Sequence, residues 1–155
     1  MNILELRETI GNLIDHDYAI QIPYATISTT NGLKEYNLII RNSVEDLVGI
    51  YLWENANNNE VFYIGMAGKV NQQGQLVNHS VRSRLQASRG KDPATGRDVL
   101  SNQYILNLML QENCDQLNIH IIHLQNGQIP GYAEAVLLNA FYQRNGLLPK
   151  YNSAF

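Results

Sequence analysis

Gly49-Ile50-Tyr51-Leu52-Trp53-Glu54-Asn55-Ala56-Asn57-Asn58-Asn59-Glu60-Val61-Phe62-Tyr63-Ile64-Gly65 is the stretch on which the fold turns. Its two ends are apolar, β-branched and aromatic, the composition that a pleated, half-buried surface favours. Its middle is an asparagine run. Asparagine tolerates left-handed backbone angles and hydrogen-bonds its own backbone, which is turn chemistry. Residues 48–65 therefore predict a β-hairpin with a polar turn. Tyr51 and Tyr63 are expected opposite each other on neighbouring strands.

Upstream, Ile3, Leu6, Ile10, Leu13 and Ile14 recur at helical spacing and predict a helix over 2–14. Ala19 to Thr30 and Leu33 to Ile40 are rich in residues that favour strands, with Asn31-Gly32 between them. Asn-Gly is the strongest short hairpin signal, so 20–40 reads as a first hairpin. Downstream, 66–78 is a polar loop with two glycines. A helix follows from about Asn78–Ser80 to Arg89, with Val81 and Leu85 on one face. After a loop over Gly90–Gly96, a second helix from about Asp98 to Glu112 is apolar nearly all round, as in a buried helix. Residues 117–124 alternate as a strand. A last helix covers about Tyr132 to Arg144, its stripe formed by Ala133, Val136, Leu137, Ala140 and Phe141, and Gly146 is its stop.

A chain of 155 residues suggests one domain, long enough to bury roughly 70% of its unfolded surface. No apolar run reaches the roughly 18 residues of a membrane span. Met1 to Glu8 lacks the basic flank and apolar run of a signal peptide, so a cytoplasmic protein without membrane partners is expected. Cys114 is the only cysteine, which excludes an internal disulfide or a cysteine-based zinc site. The net charge is −3, but it is unevenly spread. Residues 1–62 set Arg7, Lys34 and Arg41 against nine carboxylates; residues 82–97 set Arg82, Arg84, Arg89, Lys91 and Arg97 against Asp92 alone. A basic patch on an acidic body suits phosphate contacts but not a broad, avid nucleic-acid face.

Four patterns follow one another. Gly49-Ile50-Tyr51 precedes Tyr63-Ile64-Gly65; then come Arg84-Leu85 on a helix, Ala133-Glu134-Ala135 on a later helix, and Pro149-Lys150-Tyr151-Asn152. Each has a plain reading alone: strand tyrosines, an arginine on a solvated helix face, a glutamate complementing a helix dipole, an asparagine in a loop. Together, over about residues 47–152, they resemble the GIY-YIG nuclease family, which includes homing endonucleases, some restriction enzymes and the incision subunit of bacterial nucleotide excision repair. Two positions depart from that pattern. Met66 stands where many members carry lysine after YIG, and Ser88 stands where some restriction members carry histidine.

The resemblance implies an α/β (α+β) fold, a small, mainly antiparallel sheet flanked by helices. A core over 47–155 would follow a helix-and-hairpin extension over 1–46, within one compact domain. It implies a DNA endonuclease that hydrolyses phosphodiester bonds, with Tyr51, Tyr63, Arg84, Glu134 and Asn152 in the site. Tyr51 or Tyr63 is the general base. A phenol with an ordinary pKa near 10 needs a nearby cation for that work, and Lys69, Arg84 or a metal is expected to supply it. Arg84 stabilises charge on phosphorus, because a guanidinium meets two oxygens at once, with Arg82 as the fallback. Glu134 holds one Mg²⁺ or Mn²⁺, and Asn152 positions its neighbours. Lys69, Arg82, Arg89 and Lys91 are the expected contacts to double-stranded DNA. Within this reading a restriction-type enzyme comes first, with a possible homodimer through 1–46. A repair or mobile-element nicking enzyme, or a non-catalytic binding module that keeps the fold, is the alternative. The histidines signal little: His120 and His123, three apart on a strand, face opposite ways; His79 lies near the Arg84 helix; His16 carries no specific signal.

Overall fold

The expected hairpin is present in the computed structural model, which describes residues 1–154. Strand β2 (Gly49–Asn55) pairs antiparallel with β3 (Glu60–Ala67). The asparagines close the turn as their chemistry suggests. Asn55 Oδ1 accepts from the Asn57 amide and Asn58 Oδ1 from the Glu60 amide, both at 2.9 Å, and Asn59 takes the left-handed conformation at φ 61°.

The register contains one irregularity. Trp53 lies opposite Tyr63, but Glu54 lies opposite Val61, so β3 carries one extra residue. Such a bulge turns two consecutive side chains toward one face. Phe62 and Tyr63 both join the core that holds Tyr51 and Trp53, while Val61 and Ile64 join the opposite core. Tyr51 therefore faces Gly65 across the ladder and Tyr63 faces Trp53; the two tyrosines are diagonal neighbours rather than directly opposed.

The sheet has four antiparallel strands in the order β1-β6-β2-β3, with β1 at Ile14–Pro23 and β6 at Gln116–Leu124. A separate two-stranded ribbon joins β4 (Lys69–Val70) to β5 (Leu76–Val77). One face of the main sheet is covered by α3 (Gly32–Ser43), α4 (Val81–Gln86) and α5 (Ser101–Gln111), which contribute Tyr36, Ile40, Val81, Leu85, Ile105 and Met109. The other is covered by α1 (Ile3–Thr9) and α6 (Pro130–Asn145), which contribute Leu6, Ala133, Leu137 and Phe141. This is an α+β fold with helices on both faces. No helix among the described residues is long and apolar enough to cross a membrane.

The hairpin expected over 20–40 is not formed. The chain leaves β1 at Pro23, makes a one-turn helix α2 (Tyr24–Ile27), and enters α3 at Gly32. Asn31-Gly32 opens a helix instead of closing two strands, and neither residue has positive φ, as a tight hairpin turn would require. Within 32–43 the buried positions are Gly32, Tyr36 and Ile40, one helical face that overrides the local strand preference. Gly32 sits so close to the Ile27 carbonyl that a side chain has no room. The first helix is shorter than expected, ending at Thr9 with a 3₁₀ turn over Gly11–Leu13. Helix α5 is not buried all round, since Leu110 is exposed while Ile105, Leu108 and Met109 are covered. Helix α6 stops where expected, at Gly146 in the left-handed conformation, φ 72°. The proposed core boundary at residue 47 cuts through the sheet, because β1 pairs along its length with β6. Phe155, the last residue assigned to that core, lies outside the described residues.

Gly65 leaves the space that the tyrosines fill. A Cβ there would meet Tyr51 Cζ at 2.7 Å and Tyr63 Cε1 at 2.7 Å. Gly65→Ala is expected to lower stability by about 1–3 kcal/mol, the usual cost of overpacking. Urea titration reads this directly, and an unchanged midpoint would mean that the two rings are free to move apart.

Candidate active site

The bulge brings Tyr51 and Tyr63 together with ring centres 5.9 Å apart, and Trp53 lies 4.7 Å from Tyr63. The cation that meets them is Arg89, not Arg84. Its guanidinium carbon lies 5.0 Å from the Trp53 ring centre, 5.7 Å from Tyr63 and Tyr104, and 6.0 Å from Tyr51. The turn after α4 carries Arg89 here, and the Arg89 amide donates to the Val99 carbonyl at 2.9 Å. Aromatic faces attract a guanidinium through their quadrupole, most strongly when water is excluded. Burial pulls the Arg89 pKa down, and attraction to Tyr51 and Tyr63 more than offsets it, so the guanidinium stays charged.

Two donors in this box lack acceptors: Arg89 Nη2 and Trp53 Nε1 are buried with no hydrogen-bond partner among the described residues. Tyr51 is only 1% exposed, whereas Tyr63 is half-buried and is the tyrosine that solvent reaches. Burial, reinforced by Tyr51, pushes the Tyr63 phenol up to about 12 despite Arg89. At Tyr63, then, desolvation outweighs the charge of Arg89.

Arg84 does not meet the tyrosine rings. With Lys69 and His79 it lines a cavity of about 250 Å³ just past the YIG strand, floored by Met66, Ala67 and Gly68. No carboxylate among the described residues pairs with Arg84 or Lys69. The cavity is a small cationic recess at the end of β3. Helix α4 presents Arg84 because Val81 and Leu85 anchor its other side in the core, and because Ser80 caps its start by accepting from the Ser83 amide.

Glu134 is half-buried near the start of α6, between Ala133 in the core and the surface. Pro130, one turn earlier, approaches Gly68 of the cationic cavity, although Glu134 itself does not line it. Burial alone raises the Glu134 carboxyl pKa; no neighbouring cation or hydrogen bond lowers it. Asn152 is fixed more firmly. Its Oδ1 accepts from the Ile64 amide at 3.0 Å and its Nδ2 donates to the Ile64 carbonyl at 2.8 Å. The Tyr151 amide donates to the Phe62 carbonyl at 2.9 Å. Residues 151 and 152 thus cover the open edge of β3 along the YIG motif. They are anchored by Glu112, which accepts from the Tyr151 hydroxyl and pairs with Lys150, each at 2.6 Å.

The remaining candidates are engaged elsewhere. Arg82 Nε donates to the Val44 carbonyl at 2.6 Å and holds the end of α3. Lys91 pairs with Asp98 at 2.9 Å across an exposed loop. His79 contacts Ser83, and His120 contacts Glu54 at 3.4 Å. The sequence reading grouped Arg89 with general phosphate contacts, at the end of a helix that in fact stops at Gln86, and missed its place in the tyrosine box.

A carboxyl whose pKa is raised on folding binds its proton more tightly in the folded chain, so stability falls as pH climbs past the unfolded value near 4.5 and stays lower at neutral pH. Glu134→Gln removes that penalty. The variant is expected to melt at or above the wild-type temperature at pH 7, with the difference shrinking toward pH 4. A melting temperature several degrees lower at pH 7 would reveal a stabilising partner for the carboxylate. No protein-family model matches the chain, and no curated protein or solved structure matches it.

Proposed function

We propose that this chain is a metal-dependent DNA endonuclease of the GIY-YIG type, with a restriction-type enzyme as the leading form. The observation that carries the reading is the half-buried guanidinium of Arg89 against Tyr51 and Tyr63, whose Nη2 is buried and unpartnered and which pairs with no carboxylate among the described residues. Burying a charge without a counter-ion is costly. The cost is understandable where an anionic group arrives with the substrate. Arg84 and Lys69, which share a recess and pair with no carboxylate among the described residues, support phosphate as that group.

Tyr63, more accessible than Tyr51, is the general base for the attacking water, and Tyr51 and Arg89 orient it. Arg84 meets the phosphoryl oxygens where charge accumulates. Glu134, a half-buried carboxylate with no ion-pair partner among the described residues, suits a hard divalent cation, which oxygen ligands hold. Mg²⁺ or Mn²⁺ there would offset charge on the leaving oxygen. Asn152 acts through the Ile64 backbone and keeps the YIG strand in register.

A second reading has its own observation. Tyr51 is covered and the Tyr63 phenol is pushed up, as suits a packed aromatic cluster in a binding module. Incubating plasmid with Mg²⁺ or Mn²⁺, with and without EDTA, separates the two. Cuts that EDTA abolishes support the enzyme; DNA retention without nicking at any metal concentration supports the module.

Tyr63→Phe is expected to fold and to lose cleavage by roughly 10²–10⁴-fold, the usual worth of general base catalysis. Because the phenol titrates at about 12, the wild-type rate should climb with pH from neutral to mildly alkaline conditions. A flat profile together with an active Tyr63→Phe would remove the tyrosine from the mechanism.

Arg84→Ala is expected to lower cleavage by about 10²–10³-fold, the scale of one lost charge-stabilising contact. Arg82→Ala, which frees the Val44 carbonyl, should act mainly on stability. Single-turnover rates beside thermal melts distinguish them, and the reverse pattern would move the phosphoryl role to Arg82.

A further inference from the structure

We propose that His16, Glu45 and His123 form a binding site for one zinc-like divalent transition metal, which joins β1 and the segment after α3 to β6. The three come from β1, from the segment after α3 and from β6. One ligand atom from each lies within 4.8 Å of the others. The imidazoles are tilted to each other by 41° with centres 4.9 Å apart, and His16 Nε2 lies 3.0 Å from both Glu45 carboxylate oxygens.

The backbone brings the pair together through a second bulge. Ile14 lies opposite Leu124 and His16 opposite His123, so Asp15 is the extra residue. The extra residue turns His16 onto the face that His123 occupies. Bulges that re-aim a side chain in this way are common beside functional sites.

The outer hydrogen bonds suit ligation. His123 Nδ1 donates to the Val48 carbonyl at 3.0 Å, and His16 Nδ1 donates to Asp15 at 2.6 Å. Both leave Nε2 as the ligand nitrogen. A metal-binding histidine characteristically gives its other N–H to a carbonyl or carboxylate, which fixes the tautomer. His123 Nε2 meets the Tyr18 hydroxyl at 2.8 Å, and that hydroxyl also accepts from the Glu45 amide, so Tyr18 would yield the lone pair to the ion.

Two imidazoles and one carboxylate favour zinc and its neighbours over Mg²⁺, which prefers oxygen throughout. In a tetrahedron with bonds of about 2.0–2.1 Å the ligands stand about 3.3 Å apart. The widest separation must close by about 1.5 Å to reach that spacing, a movement open to the exposed side chain of Glu45 and the partly exposed one of His16. His16 and His123 also line a groove of about 680 Å³ with Asp46, Asn78 and Ser80. The fourth position therefore opens toward water or a small oxygen ligand. Neither Glu134 nor Arg84 takes part, so the site stands apart from the nuclease reading.

The test is titration of the full chain with zinc chloride, followed by calorimetry and thermal melting, with Mg²⁺ as control. One ion per chain and a rise in melting temperature that grows with zinc are expected. His16→Ala and Glu45→Gln should each weaken binding by about tenfold or more, and Asp15→Ala, which removes the outer acceptor of His16 Nδ1, by about tenfold. Tyr18→Phe should bind zinc at least as tightly as the wild type. His120→Ala, on the opposite sheet face, should leave binding unchanged. Zinc affinity untouched by His16→Ala and Glu45→Gln, or abolished by His120→Ala, would overturn the site; the exposed position of both ligands keeps the test independent of whether His123→Ala folds.

Discussion

One extra residue in β3 governs the aromatic centre of this protein. Without the bulge at Phe62 and Tyr63, strict alternation from Val61 would put Tyr63 on the face of Ala133 and Leu137. With it, Tyr63 joins Tyr51 and Trp53 beneath α4 and α5, and Gly65 leaves the space that both phenols need. The strand is then held in that register from outside. The Asn152 side chain bonds both backbone groups of Ile64, and the Tyr151 amide bonds the Phe62 carbonyl, so the carboxyl-terminal turn caps the edge of β3 at these two positions. The tyrosines and the asparagine, distant in sequence, thus form one mechanical unit.

Arg89 gives that unit its electrostatic character. Four aromatic rings surround it and no carboxylate among the described residues neutralises it, so ring faces and phenol oxygens meet its charge there. Aromatic contact supplies about 0.5–2 kcal/mol per cation, less than a buried, unpaired charge costs. Desolvation simultaneously holds Tyr63 protonated. The two effects oppose each other in the resting protein. An arriving phosphate would meet Arg89 or its neighbours and bring water with it, which shifts the balance that burial now sets.

How far the sequence could be read depended on the range of the interactions. The hairpin over 48–65 was legible because its turn chemistry and strand preference lie within one short segment. Helix α6 was legible because its stripe and Gly146 agree, although it begins at Pro130, two residues before the expected start. The segment 20–40 misled because Asn31-Gly32 suits a hairpin turn and also the start of a helix. Only the burial of Tyr36 and Ile40 against the sheet decides between them. Arg89 and the pairing of His16 with His123 were invisible for a different reason. Each depends on residues brought together by strand order, and in the second case on a bulge that no local pattern announces. The opposed faces of His120 and His123, a purely local inference, agree with their separate partners Glu54 and Val48.

The first 46 residues belong to the sheet itself, and this bears on any dimer. Strand β1 covers β6 and leaves its own far edge as the second edge of the sheet, since β3 is sealed by residues 151 and 152. That edge strand displays Asp15, Asp17 and Gln21 to solvent and ends at Pro23. Charge and proline on an edge disfavour strand addition by another chain. A sheet continuous across two copies is therefore a poor way for this molecule to dimerise. A nuclease that cuts both strands through two copies would have to pair them through helical or loop surfaces, with β1 kept for its internal task of carrying His16 and Tyr18 to His123.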